Sequence, residues 1–152
     1  MDIQIRQSNR NDIELITNMV ASLLKELGDR DVNNKELIDI CSNLINNEEN
    51  LYTAFLAYKD TECIGIITLS EFISLYGKGL CGLILELYIV PNERSKGIGE
   101  KLINTVKKYG FQRGWSRVEV GAPDPEEWSK TVSFYKREGF QEIGPRLKYH
   151  LK

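Results

Sequence analysis

The stretch from Leu85 to Lys101 reads LELYIVPNERSKGIGEK. An apolar strand pattern, a proline stop, a glycine-bearing loop and a helix start follow one another without a gap. Such a junction is an anion cradle. The N–H groups of a first helical turn have no acceptor within the helix, and the helix dipole adds partial positive charge there. Gly97 and Gly99 carry no Cβ, so a phosphate can approach the backbone closely. Arg94 and Lys96 add positive charge. An ordinary tight strand-to-helix turn can carry the same glycines, so their spacing alone names no ligand. The GxxxxGK[ST] pattern is absent, and one of the three glycines of GxGxxG is missing. The loop is therefore neither a Walker loop nor a dinucleotide fingerprint. Just upstream, Glu86 interrupts an otherwise apolar run from Leu80 to Val90. Glutamate is seldom buried without a partner, so its presence there requires a reason.

The elements that must position these residues follow from periodicity. Residues 2–6 alternate and predict a short first strand. Ile13, Ile16, Val20, Leu23, Leu24 and Leu27 draw one helical stripe that Gly28 can end. A shorter helix is expected around Leu37 to Ile45, capped by Asn33 or Asn34, followed by a polar, turn-like stretch from Asn46 to Asn50. Tyr52 to Tyr58 and Cys63 to Leu69 read as two strands of a hairpin. Gly77-Lys78-Gly79 makes a turn, and Leu83 to Val90 is a strand apolar on both faces, as a covered central strand would be. After the glycine loop comes a helix with the stripe Leu102, Ile103, Val106 and Tyr109. Arg117 to Gly121 is a short strand, Pro123 and Pro125 hold an acidic loop, and Glu126 to Glu138 is a helix with Gly139 as its C′ residue. Phe140 to Leu151 alternates weakly and predicts a closing strand or two. The order β-α-α-β-β-β-α-β-α-β gives an α/β fold with a mixed sheet: hairpins at the front, and one parallel pair with a right-handed crossover at 83–121. It is not a doubly wound fold.

The chain has 152 residues, enough for a single domain spanning 1–152 with a core and a cleft. Lys and Arg total 20, Asp and Glu 22, a formal net charge of −2, which argues against a nucleic-acid binder. The cysteines Cys41, Cys63 and Cys81 are odd in number, form no CxxC pair and read as small core residues. With His150 the only histidine, a Cys/His metal site has too few ligands. A reducing cytoplasm fits this usage. The N-terminus lacks the apolar stretch of a secretory signal, and no run approaches the ~20 residues of a membrane helix. No membrane association is expected.

Two segments then carry a resemblance. Arg94-Ser95-Lys96-Gly97-Ile98-Gly99 resembles the R/Q-x-x-G-x-G/A signature of the GNAT family of N-acetyltransferases, and LYIVP (87–91) is similar to the strand before that loop. Downstream, Phe134-Tyr135-Lys136-Arg137-Glu138-Gly139-Phe140 resembles the family's FYxxxGF segment. The element order matches from residue 2 to about 150. The resemblance implies a mixed, mostly antiparallel sheet with one parallel pair splayed around the cofactor and helices on both faces. It implies transfer of an acetyl group from acetyl-CoA directly to a primary amine, with no metal. The acceptor would be a small molecule of aminoglycoside, polyamine or amino-acid type, or a protein amine. An acyl-CoA-binding regulatory module with little turnover is the alternative. Many members are homodimers, and nothing in the sequence singles out an interface.

The resemblance also assigns residues. The amides of Ser95, Lys96, Gly97, Ile98, Gly99 and Glu100, with Arg94 beside them, would bind the CoA pyrophosphate. The backbone of Leu87, Tyr88 and Ile89 would pair with the pantetheine arm as a strand pairs with an added strand. One N–H near Tyr88 or Ile89 would bond the thioester oxygen. Tyr135 would contact the cofactor and protonate the departing thiolate. For Glu86 two readings stand side by side. As general base it would deprotonate an amine of ordinary pKa about 10.4 before attack; otherwise it faces a wet cleft or binds a cationic substrate. Trp128 departs from the asparagine frequent in the family, and would pack on the cofactor, cap the acceptor site or simply anchor the helix.

Overall fold

A computed structural model describes residues 2–46, 52–121, 126 and 128–152. The polar stretch expected at 46–50 and the acidic loop at 123–127 lie outside these residues, apart from Asn46 and Glu126.

Five strands form one sheet in the order β1-β2-β3-β4-β5: β1 (Ile3–Gln7), β2 (Thr53–Lys59), β3 (Glu62–Ser74), β4 (Gly79–Ile89) and β5 (Val118–Val120). The first four are antiparallel neighbours, and β4 and β5 run parallel. Helices α1 (Ile13–Glu26) and α2 (Asn34–Ile45) cover one face; α3 (Ile98–Arg113) and α4 (Ser129–Arg137) serve the other. The mixed sheet with one parallel pair and helices on both faces is as expected.

Local signals explain most boundaries. Gly28, at φ +98°, ends α1, and its N–H bonds the Lys25 carbonyl. The Asn33 side chain accepts the Glu36 N–H at 3.2 Å and so caps α2, resolving the choice between Asn33 and Asn34. Gly139, at φ +96°, follows α4 as a C′ residue, with the Phe140 N–H on the Tyr135 carbonyl. Two apolar clusters flank the sheet. Leu102, Ile103 and Val106 of α3 pack on Phe55, Ile67, Leu69 and Ile84. Ile16, Met19 and Val20 of α1, with Cys41 of α2, pack on Ala54, Leu56, Ile66 and Tyr88. Each such large apolar side chain contributes about 1.5–3 kcal/mol by its burial. Cys41 and Cys81 are buried and Cys63 half-buried, all as free thiols.

Two expectations are corrected. β3 and β4 are longer than their apolar cores suggest, because they extend together past β2 as a two-stranded arm that pairs Ser70–Ser74 with Gly79–Leu83. The closing strand expected within 140–151 does not form: those residues are irregular. Leu147, Tyr149 and Leu151 are 94%, 87% and 91% exposed, so the weak alternation has no apolar face to bury against.

Candidate active site

β4 carries the site, and an irregularity in it sets the geometry. Thr68 pairs with Glu86 but Leu69 pairs with Ile84, so Leu85 is an extra residue, a β-bulge. Side chains two apart share a face of a strand. Regular alternation would set Glu86 beside Ile84 in the α3-side core. The bulge reverses the phase: Leu87 and Ile89 turn to α3, while Tyr88 joins the α1 side and Glu86 meets Thr68 and Tyr52.

The bulge also marks where the sheet opens. β5 pairs with β4 only from Gly82 to Ile84, so among the described residues no strand pairs with 85–89 on that side. The Val90 N–H bonds the Ile64 carbonyl across β3, and the Glu86 N–H bonds Thr68 Oγ1. By alternation the Tyr88 backbone also faces β3, and the polar groups of Leu87 and Ile89 face the split. Arg94 Nε donating to the Ile89 carbonyl at 2.8 Å agrees. An N–H aimed into the split thus belongs to Leu87 or Ile89, and Tyr88 is excluded.

Beyond β4 the chain makes a 3-10 turn at Pro91–Glu93 and enters the glycine loop. Ser95 and Gly97 adopt left-handed conformations, φ +62° and +83°, and Gly97 is the residue before the first turn of α3. No side chain caps that turn. Among the described residues, no backbone N–H from Ser95 to Glu100 has an acceptor; the first bond is Lys101 N–H to the Gly97 carbonyl at 3.2 Å. A Cβ on Gly99 would come within 3.1 Å of the Phe134 ring, which fixes α4 against the loop. A bare, outward-facing set of N–H groups at a helix N-terminus fits a phosphate group.

The two loop cations are less free than their sequence position suggests. Arg94 makes a bidentate pair with Glu26 at the end of α1, at 2.9 and 2.7 Å, and its guanidinium lies 5.5 Å from the centre of the Tyr88 ring. Lys96 Nζ is 3.2 Å from Glu93, which also binds Lys59 at 3.0 Å. Lys59 first, then Lys96, hold the Glu93 carboxyl below the usual carboxylate range.

A cleft of about 1150 Å³ joins these parts. Glu86 to Ile89, Arg94, Ser95 and Gly97 to Glu100 line it, as do Glu26, Trp128, Phe134 and Tyr135. Of the expected site residues only Lys96 is off the wall, turned to Glu93. Tyr135 is 7% exposed, with Phe134 and Phe140 packed edge-on against its ring at 5.3 and 5.6 Å. Burial pushes its phenol up to about 12, so it stays protonated at neutral pH. Every fully buried side-chain oxygen or nitrogen among the described residues has a partner. The Tyr135 hydroxyl bonds none of them, so it is not sealed in; it reaches the cleft. Glu86 accepts from Tyr52 Oη at 2.8 Å and from Thr68 Oγ1, both on Oε1. Trp128 is half-buried on the cleft wall before α4. The tryptophan that anchors the core is Trp115, whose ring lies where a Cβ on Gly82 or Gly110 would sit.

Sequence reasoning missed Tyr52, Thr68 and Glu26. Tyr52 reads only as the start of a strand, Thr68 as one strand residue among others and Glu26 as a helix surface charge. No spacing links them to residues 34, 18 and 68 positions away. Among the described residues no cluster of three His, Cys, Asp or Glu side chains could hold a metal, and no helix is long and apolar enough to cross a membrane.

Comparison with known proteins bears on the family and the fold. The model of the acetyltransferase (GNAT) family matches residues 18–140. Glucosamine 6-phosphate N-acetyltransferase of Schizosaccharomyces pombe is 31% identical over 74 residues, 49% of this chain and 62% of that protein, so the match spans less than two thirds of the curated relative. Two solved structures share the fold. A "predicted acetyltransferase with acetyl-CoA" from Clostridium acetobutylicum superposes with a TM-score of 0.81 at 20% identity, over 99% of this chain and 97% of that one. An aminoglycoside acetyltransferase from an uncultured soil metagenomic sample does so with a TM-score of 0.79 at 20% identity, again over 99% and 97%.

Proposed function

The chain belongs to the acetyltransferase (GNAT) family, and from that premise we propose that it moves the acetyl group of acetyl-CoA to a primary amine by direct transfer, with both substrates in the cleft at once. One observation carries the reading: among the described residues, a row of N–H groups without acceptors at the start of α3 adjoins an edge of the bulged β4 that no strand pairs. The first half suits a pyrophosphate. The second suits an amide-bearing arm that pairs with an open strand.

Bound acetyl-CoA supplies the activated acetyl thioester. Ser95 to Glu100 bind its phosphates through their backbone, and Leu87 and Ile89 orient its arm through theirs. An N–H of that pair is the donor available to the thioester oxygen as negative charge develops there. Glu86 takes a proton from the acceptor's ammonium, freeing the nitrogen pair. Tyr135, protonated at neutral pH, gives its proton to the departing sulfur, and the second proton that the acceptor nitrogen sheds as the amide forms returns to the phenolate. A thiol of ordinary pKa about 8.5 is a tolerable leaving group even unassisted, so Tyr135 accelerates the step without being indispensable.

Small-molecule amines of the amino-sugar and aminoglycoside kinds, named for the related proteins, are the first acceptors to try. Calorimetric titration with acetyl-CoA, with and without pooled amines, is the test, followed by free-thiol measurement on the same mixtures. Saturable binding with amine-dependent thiol release supports the transferase. Binding without release favours an acyl-CoA-binding module, and no binding overturns the loop assignment.

A further inference from the structure

Glu86 is not a loose carboxylate at the cleft wall. Tyr52, just before β2, donates to Glu86 Oε1 at 2.8 Å. Thr68 of β3, fully buried, donates to the same oxygen, and its Oγ1 accepts the Glu86 N–H at 3.0 Å. A carboxylate oxygen offers about two lone-pair sites. The two hydroxyls therefore fill those of Oε1, and no described residue bonds Oε2. The Leu85 bulge is what brings Glu86 to the face where both hydroxyls stand.

We infer that Tyr52 and Thr68 are positioning residues for the transfer: they pin Oε1 and leave Oε2 as the oxygen that takes the amine proton. This rests on the proposed role of Glu86 as base. In the step itself one N–H bond of the ammonium breaks and an O–H bond forms at Oε2. The electron pair stays on nitrogen, ready to attack the thioester carbon. A carboxylate free to turn would lose the preorientation that proton transfer rewards.

The test has two arms. In the free protein labelled with ¹³C-carboxyl glutamate, Glu86→Gln identifies the Glu86 carboxylate band by deleting it from the isotope-edited infrared spectrum. That band should move in Tyr52→Phe and in Thr68→Val, and return in Thr68→Ser. An unmoved band in Tyr52→Phe overturns the inference whatever the acceptor. The second arm measures thiol release from acetyl-CoA with glucosamine 6-phosphate, spermidine and kanamycin. Glu86→Gln should lower kcat by about 10²–10⁴-fold, the range of general-base catalysis. Tyr52→Phe and Thr68→Val should each lower kcat about 5–50-fold with the KM for acetyl-CoA unchanged, and Thr68→Ser should restore it. In the Glu86→Gln background, Tyr52→Phe should cost nothing further, because its effect passes through Glu86. A slow Glu86→Gln with an unimpaired Tyr52→Phe overturns the inference alone. An unimpaired Glu86→Gln overturns the base assignment and the inference with it. Tyr52 is only half-buried and Phe keeps its ring, so this variant stays informative where Thr68→Val fails to fold.

Discussion

On the α3 side the cleft is lined by backbone: the N–H groups from Ser95 to Glu100 and the polar groups of Leu87 and Ile89. On the α1 side it is lined by side chains that partners hold: Glu86, bonded by Tyr52 and Thr68 from off the cleft wall, and Arg94, paired with Glu26. A backbone site depends on local conformation and on what is missing, a Cβ or a cap. A side-chain site depends on partners brought from remote positions. The first kind tolerates most changes of residue type but not of shape. The second tolerates changes of shape at its rim but not the loss of one hydroxyl or charge.

The largest effect should come from breaking the backbone side. Gly97→Glu forces a side chain onto a φ of +83° and places a carboxylate where a phosphate would approach. We expect acetyl-CoA affinity to drop by at least about 100-fold in calorimetry, on the scale of a 2.7 kcal/mol loss. Retained affinity would remove the distinction drawn here, since the backbone would not be the ligand.

Tyr135→Phe keeps the ring in the aromatic cluster and deletes the hydroxyl at the cleft. Turnover should fall by about 10–100-fold, at or below the bottom of the ~10²–10⁴-fold range of general-acid catalysis because a thiol leaves tolerably unassisted, while acetyl-CoA binds as before. The sign of the pH dependence follows from burial. The phenol of an unfolded chain has pKa about 10, and the folded one is raised to about 12. Its contribution to stability is therefore complete below pH 10 and is lost as pH rises through 12. Alkaline denaturation of the wild type should steepen across that window relative to Tyr135→Phe. Identical profiles would mean that the phenol is not desolvated.

A smaller effect sharpens the comparison at the point where the two sides meet. Arg94 belongs to the glycine loop but is held by Glu26 of α1. Charge-assisted bidentate pairs compete with phosphate for the same donors. Glu26→Gln should tighten acetyl-CoA binding by about 3–10-fold, and the gain should vanish in the Arg94→Gln background. A gain that survives there would reflect only the removal of a nearby negative charge.

The smallest effect concerns the tail. Leu147→Ser and Leu151→Ser should change stability by no more than about 0.5 kcal/mol in chemical denaturation, as exposed positions do. A cost of 2 kcal/mol or more, of the order of burying a large apolar side chain, would restore the closing strand that residues 140–151 suggested.

Sequence alone determined what depends on neighbours in the chain. The stripes of α1 and α3, the glycines that end α1 and α4, the parallel pair around the crossover and the glycine loop are all local patterns, set by periodicity, caps and permitted φ. Their physics acts within one turn or one strand, so spacing suffices to read it. Glu86 stood out for the same reason, as a charge in an apolar run. Only the tertiary structure decided what Glu86 touches, because one extra residue at Leu85 reverses the phase of β4 and chooses its face. It decided that Tyr52 and Thr68 meet on a single oxygen, that Glu26 and Glu93 occupy the loop cations, and that the tail stays unpaired. These outcomes turn on pairing register and on contacts up to 68 positions apart, and chain-local propensity carries no term for either.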